Sequence, residues 1–278
     1  MKKPYWLRVP YVDPKSNEYV TELLEKFRLN TVCIEANCPN RAECFSNNTA
    51  TFLILGNICT RNCTFCNVSF GTPQEVDKNE PQRIAAAVKE LDLKYVVITS
   101  VTRDDLPDKG ANHFADVIKE IHKVSPETVV EVLIPDIDSL NILTAQSPAV
   151  IGHNIETVKS LYPYVRPQAD YHRSLKVLKT IKELDTGIYS KSGLMLGLGE
   201  TKDEVLQTFN DLLESNCDIL TIGQYLSPGK NHYPIKKYIN PETFDEYKSE
   251  ALKSGFKYVV SSPFVRSSYK AAELFNNH

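Results

Sequence analysis

Six of the chain's seven cysteines fall between positions 33 and 66, in two unequal triplets. Cys33, Cys38 and Cys44 form a C-x4-C-x5-C run, and Cys59, Cys63 and Cys66 form a C-x3-C-x2-C run. Clustered thiolates select iron–sulfur clusters or zinc. A [4Fe–4S] cube normally takes one cysteine on each of its four irons. A triplet therefore leaves one iron to another ligand, or open for chemistry, and two triplets imply two clusters that answer this differently. Zinc in a structural site wants four ligands, often as paired C-x2-C knuckles. Only Cys63 and Cys66 make such a knuckle, and the spacing from Cys59 departs from it. A disulfide framework is the weaker reading, because thiols in a reducing compartment stay reduced.

The elements that must position these thiols alternate along the chain. β-Branched apolar runs occur at Thr51–Leu55, Tyr95–Thr99, Val129–Ile134, Ala149–Gly152, Gly193–Leu198, Ile219–Gly223 and Tyr258–Val260. Between them lie segments of helical period at Pro81–Leu91, His113–Lys123, Ser174–Leu184, Asp203–Glu214 and Pro241–Lys253. Asp203 reads as an N-cap, Pro241 as a first-turn proline, and Gly255 as a left-handed C-cap. Repeated strand–helix units predict parallel strands joined by right-handed crossovers. No glycine fingerprint follows the first strand, so the expected fold is α/β, a partial (β/α)6 TIM-type barrel rather than a doubly wound sheet. Its chemistry belongs at the C-terminal ends of the strands. Several runs there lead into polar or glycine-containing stretches: Gly56-Asn57, Ser100 to Arg103, His153-Asn154 and Gly223 to Tyr225. Residues 1–50 read as an N-terminal extension carrying the first triplet, irregular apart from a helix near Ser16–Phe27. Residues 51–262 form the barrel, and 263–278 a C-terminal extension; the two extensions are expected to cap the open end.

The 278 residues are 42% hydrophobic and 24% charged, enough for a sizeable core. A net charge of −3 supplies no global basic field for nucleic acid. The local group Lys230, His232, Lys236 and Lys237 reads as a solvated face. No apolar run approaches the roughly 18 residues of a membrane span. The start, Met1 to Arg8, has neither a signal-peptide apolar region nor the acid-poor look of a transit peptide. The expected compartment is the cytoplasm.

A C-x3-C-x2-C loop after the first strand of such a barrel resembles the radical S-adenosylmethionine enzymes. With the first triplet added, the chain resembles the lipoyl synthase family of that group. The resemblance runs through Cys33 to Asn40, Thr99 to Asp108, His153 to Thr157, Val165-Arg166-Pro167, Tyr171 to Leu175, Gly193 to Glu200, Gly223 to Leu226 and Phe264 to Tyr269. It covers about residues 7 to 272. It departs from the family pattern at Lys109 and Ser262, where glycines are usual.

The resemblance implies two [4Fe–4S] clusters and S-adenosyl-L-methionine. Cys59, Cys63 and Cys66 would hold the cluster whose open iron binds the cofactor, and cofactor cleavage would give a 5′-deoxyadenosyl radical. Cys33, Cys38, Cys44 and a serine of the Arg266-Ser267-Ser268-Tyr269 motif would hold an auxiliary cluster that serves as sulfur source. Ser268 is the expected ligand and Ser267 the alternative; Arg266 is expected to hold the tail over the barrel. Around the cofactor, Phe65 would lie near adenine, Ser100 and Thr102 near the methionine amino group, and Asn154 and Glu156 near ribose or carboxylate. Arg173 would pair with the methionine carboxylate, which a guanidinium suits. Each has a plainer reading: loop packing for Phe65, strand-end hydrogen bonding for Ser100 and Asn154, a surface ion pair for Arg173. Cys217 reads as a small buried apolar residue. His113, His122 and His278 read as structural or exposed.

The implied reaction inserts sulfur at C6 and C8 of an octanoyl chain on a carrier-protein lysine. The implied partners are octanoylated carriers (a glycine-cleavage H protein or E2 lipoyl domains), an electron donor such as flavodoxin or ferredoxin, and an iron–sulfur cluster carrier. Nucleic acid and membrane are not expected. Two other readings stand beside it. One is a biotin synthase-like enzyme acting on a free small molecule. The other is a non-catalytic iron–sulfur electron carrier or zinc-bound structural protein.

Overall fold

The computed structural model describes residues 2–9, 17–47, 49–269 and 271–274. It divides into two compact units, Pro10–Arg61 with Asn67–Ile151, and Met1–Val9 with Asn62–Cys66 and Gly152–His278.

The first unit begins with helix α1 (Glu18–Phe27), whose buried Val20, Leu23 and Leu24 recur at helical spacing. Arg28 ends it in the left-handed conformation (φ 51°). Strand β1 (Asn30–Thr31) and two short helices, α2 (Val32–Glu35) and α3 (Arg41–Ser46), follow. Then come β2 (Thr51–Ile54), the short pair β3 (Ile58–Cys59) and β4 (Ser69–Phe70), α4 (Glu80–Glu90), β5 (Tyr95–Ser100), α5 (Ala111–Val124), β6 (Val129–Leu133), α6 (Leu140–Thr144) and β7 (Val150–Gly152). β1 pairs antiparallel with β2, while β2–β5 and β5–β6 are parallel. All four residues of β2 are buried, as expected of a strand covered on both faces. Phe114, Val117, Ile118 and Ile121 of α5 are fully buried, each contributing about 1.5–3 kcal/mol.

In the second unit α7 (Tyr162–Val165) and α8 (Tyr171–Leu184) precede β8 (Tyr189–Leu196), α9 (Lys202–Glu214), β9 (Ile219–Gln224), α10 (Pro241–Ser254) and β10 (Tyr258–Ser261). β8, β9 and β10 are parallel. Pro241 opens α10 and Gly255 closes it at φ 123°, as the sequence predicts. Each expected strand and helix is present, with ends shifted by a few residues. Two expectations fail. Asp203 is not the cap of α9; Thr201 is, in a reciprocal capping box with Glu204, which places Asp203 in the first turn. The N-terminal extension is also more regular than expected, because β1 extends the sheet and Thr31 caps α2 by accepting from the Cys33 N–H.

Asp218, at the start of β9, is the ionic anchor of the second unit. Its carboxylate meets Lys182 at 2.9 Å and Lys257 at 2.7 Å, and accepts from the Ser190 N–H. Lys182 also donates to the carbonyls of Thr186 and Ile188, sealing the turn from α8 into β8. Burial pushes the Asp218 carboxyl up, but the two lysines and the amide outweigh it and hold the group below the ordinary carboxylate range. The stabilisation is therefore complete above the unfolded-state pKa and is lost as pH falls through the lower folded value. Asp218→Ala strands the largely buried Lys182 ammonium and is expected to cost about 3 kcal/mol, read as a lower denaturant midpoint at pH 7. The gap from wild type should narrow in acid; a gap independent of pH would contradict the ionic account.

Candidate cysteine centres and cofactor site

The first triplet lies within the first unit. Cys33 is buried on α2, and Cys38 and Cys44 are partly buried. The Cys38 N–H donates to the Cys33 carbonyl, and the Cys44 N–H to the Asn40 carbonyl, so turn and helix bonds set the spacing. Burial pushes the Cys44 thiol up to about 12, helped by the nearby charges of Cys33, Cys38 and Glu43. The Cys44 thiol thus lies within electrostatic reach of Cys33 and Cys38. Among the described residues, no three Cys, His, Asp or Glu side chains surround a single metal-ion position. A cube asks for a wider spread, since each thiolate ligates a different iron. The soft, gathered donor set fits such a cluster.

The second triplet starts in the same unit. Cys59 is the last residue of β3 and accepts, through its carbonyl, from the Gly71 N–H. The chain enters this loop through Leu55 (φ 66°) and Gly56 (φ 86°). A left-handed leucine costs roughly 1–2 kcal/mol, so neighbours must hold it. The Leu55 N–H donates to the buried Glu80 carboxylate at 2.9 Å, and the same oxygen meets His113 Nε2 at 2.7 Å. The Leu55 carbonyl accepts from buried Arg103. A Cβ on Gly110 would come within 2.4 Å of Leu55 Cδ1. His113 is therefore structural, as the sequence predicts. Arg61, two residues past Cys59, is fixed by Asp104 (2.6 Å) and buried Asp136. Thr60 donates its N–H to the Thr102 carbonyl.

The rest of the loop belongs to the second unit. The Cys66 N–H donates to the Cys63 carbonyl. Thr64 donates to the Val165 carbonyl and accepts from the Tyr233 N–H, and the Asn62 N–H meets Gln168. Phe65 is partly buried against the cluster of Val165, Leu198 and Tyr225.

At the strand ends, Ser100 Oγ is buried with no hydrogen-bond partner among the described residues. A buried orphan hydroxyl fits a ligand amino group there. In the second unit Asn154 is held at both ends of its amide: Nδ2 donates to Glu156 Oε1 (3.0 Å), and Oδ1 accepts from Ser267 Oγ (2.9 Å), leaving one N–H and one lone pair for a ligand. Glu156 is left-handed (φ 64°) and bridges Leu194. Burial pushes its carboxyl up, against the opposing pull of Arg166, Asn154 and Arg266. Arg173 is half-buried in the first turn of α8, and its N–H donates to the capping Asp170. The C-terminal segment crosses two glycines. A Cβ on Gly193 would stand 2.7 Å from Ser267 Oγ, and one on Gly223 would stand 2.1 Å from the Val265 carbonyl. Larger residues at either position would lift the tail.

Cys217 is buried, with its thiol pushed up by burial. Burial lowers the His122 pKa, and His278 lies outside the described residues. Lys230, Lys236 and Lys237 are exposed, as read. Lys109 adopts φ 53°, which explains the usual glycine, and its ammonium meets Asp138 at 2.8 Å. Ser262 needs no left-handed backbone and donates its N–H to the Ile222 carbonyl. Sequence reasoning missed Glu80 and Arg61, and named Gln224 only as part of a polar strand end. Buried Gln224 donates to the carbonyls of Leu196, Tyr225 and Lys237 and accepts from the Ile239 N–H. Of the two missed, Arg61 carried a signal, a cation inside a loop of would-be thiolates.

The sequence matches the family described as "Radical SAM superfamily" over residues 53–212. A lipoyl synthase from Alkaliphilus metalliredigens is 56% identical, the match covering 100% of this chain and 97% of the relative. One from Caldicellulosiruptor saccharolyticus is 58% identical, over 98% and 97%. The chain belongs to the lipoyl synthase family. That family lies within the radical SAM enzymes, which implies S-adenosylmethionine and a [4Fe–4S] cluster for its members. The fold agrees. SuiB from Streptococcus suis aligns at TM-score 0.60 and 13% identity, over 80% of this chain and 54% of that one. Methylornithine synthase aligns at 0.55 and 14%, over 90% and 80%. The expected barrel-type α/β fold is therefore that of the lipoyl synthase family's wider group. Among the described residues, no helix is long and apolar enough to cross a membrane.

Proposed function

We propose that this chain inserts two sulfur atoms, at C6 and C8, into an octanoyl chain held in amide linkage on a carrier-protein lysine, yielding the lipoyl group. The observation that carries this reading is the pair of cysteine triplets, C-x4-C-x5-C and C-x3-C-x2-C, in a chain that belongs to the lipoyl synthase family. When bound, the cluster on Cys59, Cys63 and Cys66 with S-adenosyl-L-methionine would supply hydrogen-abstracting power, and the auxiliary cluster would supply sulfur.

The chain's own residues hold and orient these groups. Cys59, Cys63 and Cys66 ligate one cluster; Cys33, Cys38, Cys44 and Ser268 ligate the other. Ser268 is preferred because the Ser267 hydroxyl is already given to Asn154. Ser100, Thr102, Glu156, Arg173 and Phe65 receive S-adenosylmethionine, with Asn154 now shared between that site and the tail. Residues 1–50 carry the auxiliary ligands, 51–262 the barrel and 263–278 the serine. The carriers proposed are a glycine-cleavage H protein or an E2 lipoyl domain. Flavodoxin or ferredoxin would supply electrons and an iron–sulfur carrier would supply clusters, in the cytoplasm.

The two serines separate under substitution. Ser268→Ala should lower sulfur insertion at least as much as the roughly 10–100-fold that losing an outer-shell partner costs, with 5′-deoxyadenosine formation retained. Ser267→Ala should lose only a hydrogen bond of about 1 kcal/mol. The reverse ranking, read from product and iron content, would assign the ligand to Ser267.

The function is tested by anaerobic reaction of the reconstituted chain with S-adenosylmethionine, a strong reductant and an octanoyl-lysyl peptide, followed by mass spectrometry. Peptide carrying two added sulfurs, with 5′-deoxyadenosine, is expected. 5′-Deoxyadenosine with unmodified peptide would overturn this acceptor, and neither product from iron-replete protein would favour an electron carrier.

A further inference from the structure

The two cysteine motifs are joined inside the first unit by one residue of the auxiliary run. Helix α2 is a single turn, so its last carbonyls have no partner within the helix. The carbonyl of Glu35, two residues after Cys33, accepts from Asn67 Nδ2 at 2.8 Å. Asn67 directly follows Cys66. The Glu35 side chain extends the link, since Oε1 accepts from Asn57 Nδ2 at 3.4 Å, and Asn57 stands two residues before Cys59. Both ends of the second cysteine loop thus reach back to the same residue of the first motif. The Asn67 bond is the short one and goes to backbone, so it fixes the course of the chain between Cys33 and Cys38.

We propose that Asn67 is a positioning residue that holds the auxiliary cysteine run in register with the ends of the second cysteine loop, coupling hydrogen removal to sulfur delivery. This rests on the reading of the chain as a lipoyl synthase. Sulfur insertion then requires one substrate carbon to be served by two metal centres in turn. Orientation errors of about 1 Å can cost roughly 100-fold in such steps. A side chain that sets the spacing of the two motifs acts on this coupling without touching either reacting group.

The test compares wild type with Asn67→Ala and Asn67→Gln, each reconstituted anaerobically. Iron per chain and the magnetic interaction between the two reduced clusters, read by electron paramagnetic resonance, are measured beside turnover. Hydrogen exchange of the metal-free protein over residues 33–38 is followed as well. Asn67→Ala should keep full iron, exchange faster over 33–38 and show an altered magnetic interaction. It should also form about tenfold more 5′-deoxyadenosine per sulfur inserted. Asn67→Gln, which keeps the donor, should recover part of the ratio. An unchanged ratio and unchanged magnetic interaction at full iron would overturn the role, as would loss of iron, which would mean plain support of the fold. Wild type that inserts no sulfur would instead overturn the underlying function.

Discussion

Cys63→Ala should form neither 5′-deoxyadenosine nor sulfur-bearing product. The loop survives the change, because its anchors are backbone bonds: Cys66 N–H to Cys63 carbonyl, Thr64 N–H to Val165 carbonyl, and Tyr233 N–H to Thr64 carbonyl. What would be lost is one of the three thiolates proposed for the cofactor-cleaving cluster, and Cys217, remote in sequence and buried in its own strand entry, offers no replacement. Chromatography of an anaerobic reaction decides the matter. 5′-Deoxyadenosine above the level of metal-free protein would show that Cys63 does not hold the cofactor-cleaving cluster.

Cys38→Ala should give the complementary result, with 5′-deoxyadenosine formed at a rate near wild type and no sulfur in the peptide. Here too the backbone frame is independent of the thiol, with the Cys38 N–H on the Cys33 carbonyl and its carbonyl accepting from Arg41. Iron should fall from about eight to about four per chain if each triplet carries one cube. Normal lipoyl product from this variant would remove the first triplet from the role of sulfur source. Together the two variants assign separate tasks to two sets of chemically identical residues.

The strands and long helices were legible because their patterns are local. Apolar runs such as Tyr95–Ser100 and the 3.6-residue stripe of α5 declare themselves within a dozen residues. The capping box Thr201–Glu204 is equally local, but Asp203, a residue of N-cap type two positions on, mimics its signal. In the N-terminal extension α2 and α3 are too short for a periodic signal, and their shape depends on turn bonds around the cysteines. The six clustered cysteines were legible as chemistry from spacing alone. Their supports were not. Arg61 meets Asp104 and Asp136 across 43 and 75 residues, and Ser267 meets Asn154 across 113. No pattern within a window encodes pairs so distant. Asn154 illustrates the result: its polar type at a strand end was visible, while its engagement with the tail was not.

The left-handed Leu55 bears on transplantation. Its amide rests on Glu80, its carbonyl on Arg103, and its side chain against Gly110. These come from the start of α4, the turn after β5 and the entry to α5. A segment cut from Gly56 to Asn67 would thus carry the thiols but leave its mount behind. The cysteine loop is not a portable cassette. An engineer grafting it onto another barrel has to bring at least three residues from two later turns, or design a different foothold for the peptide before it.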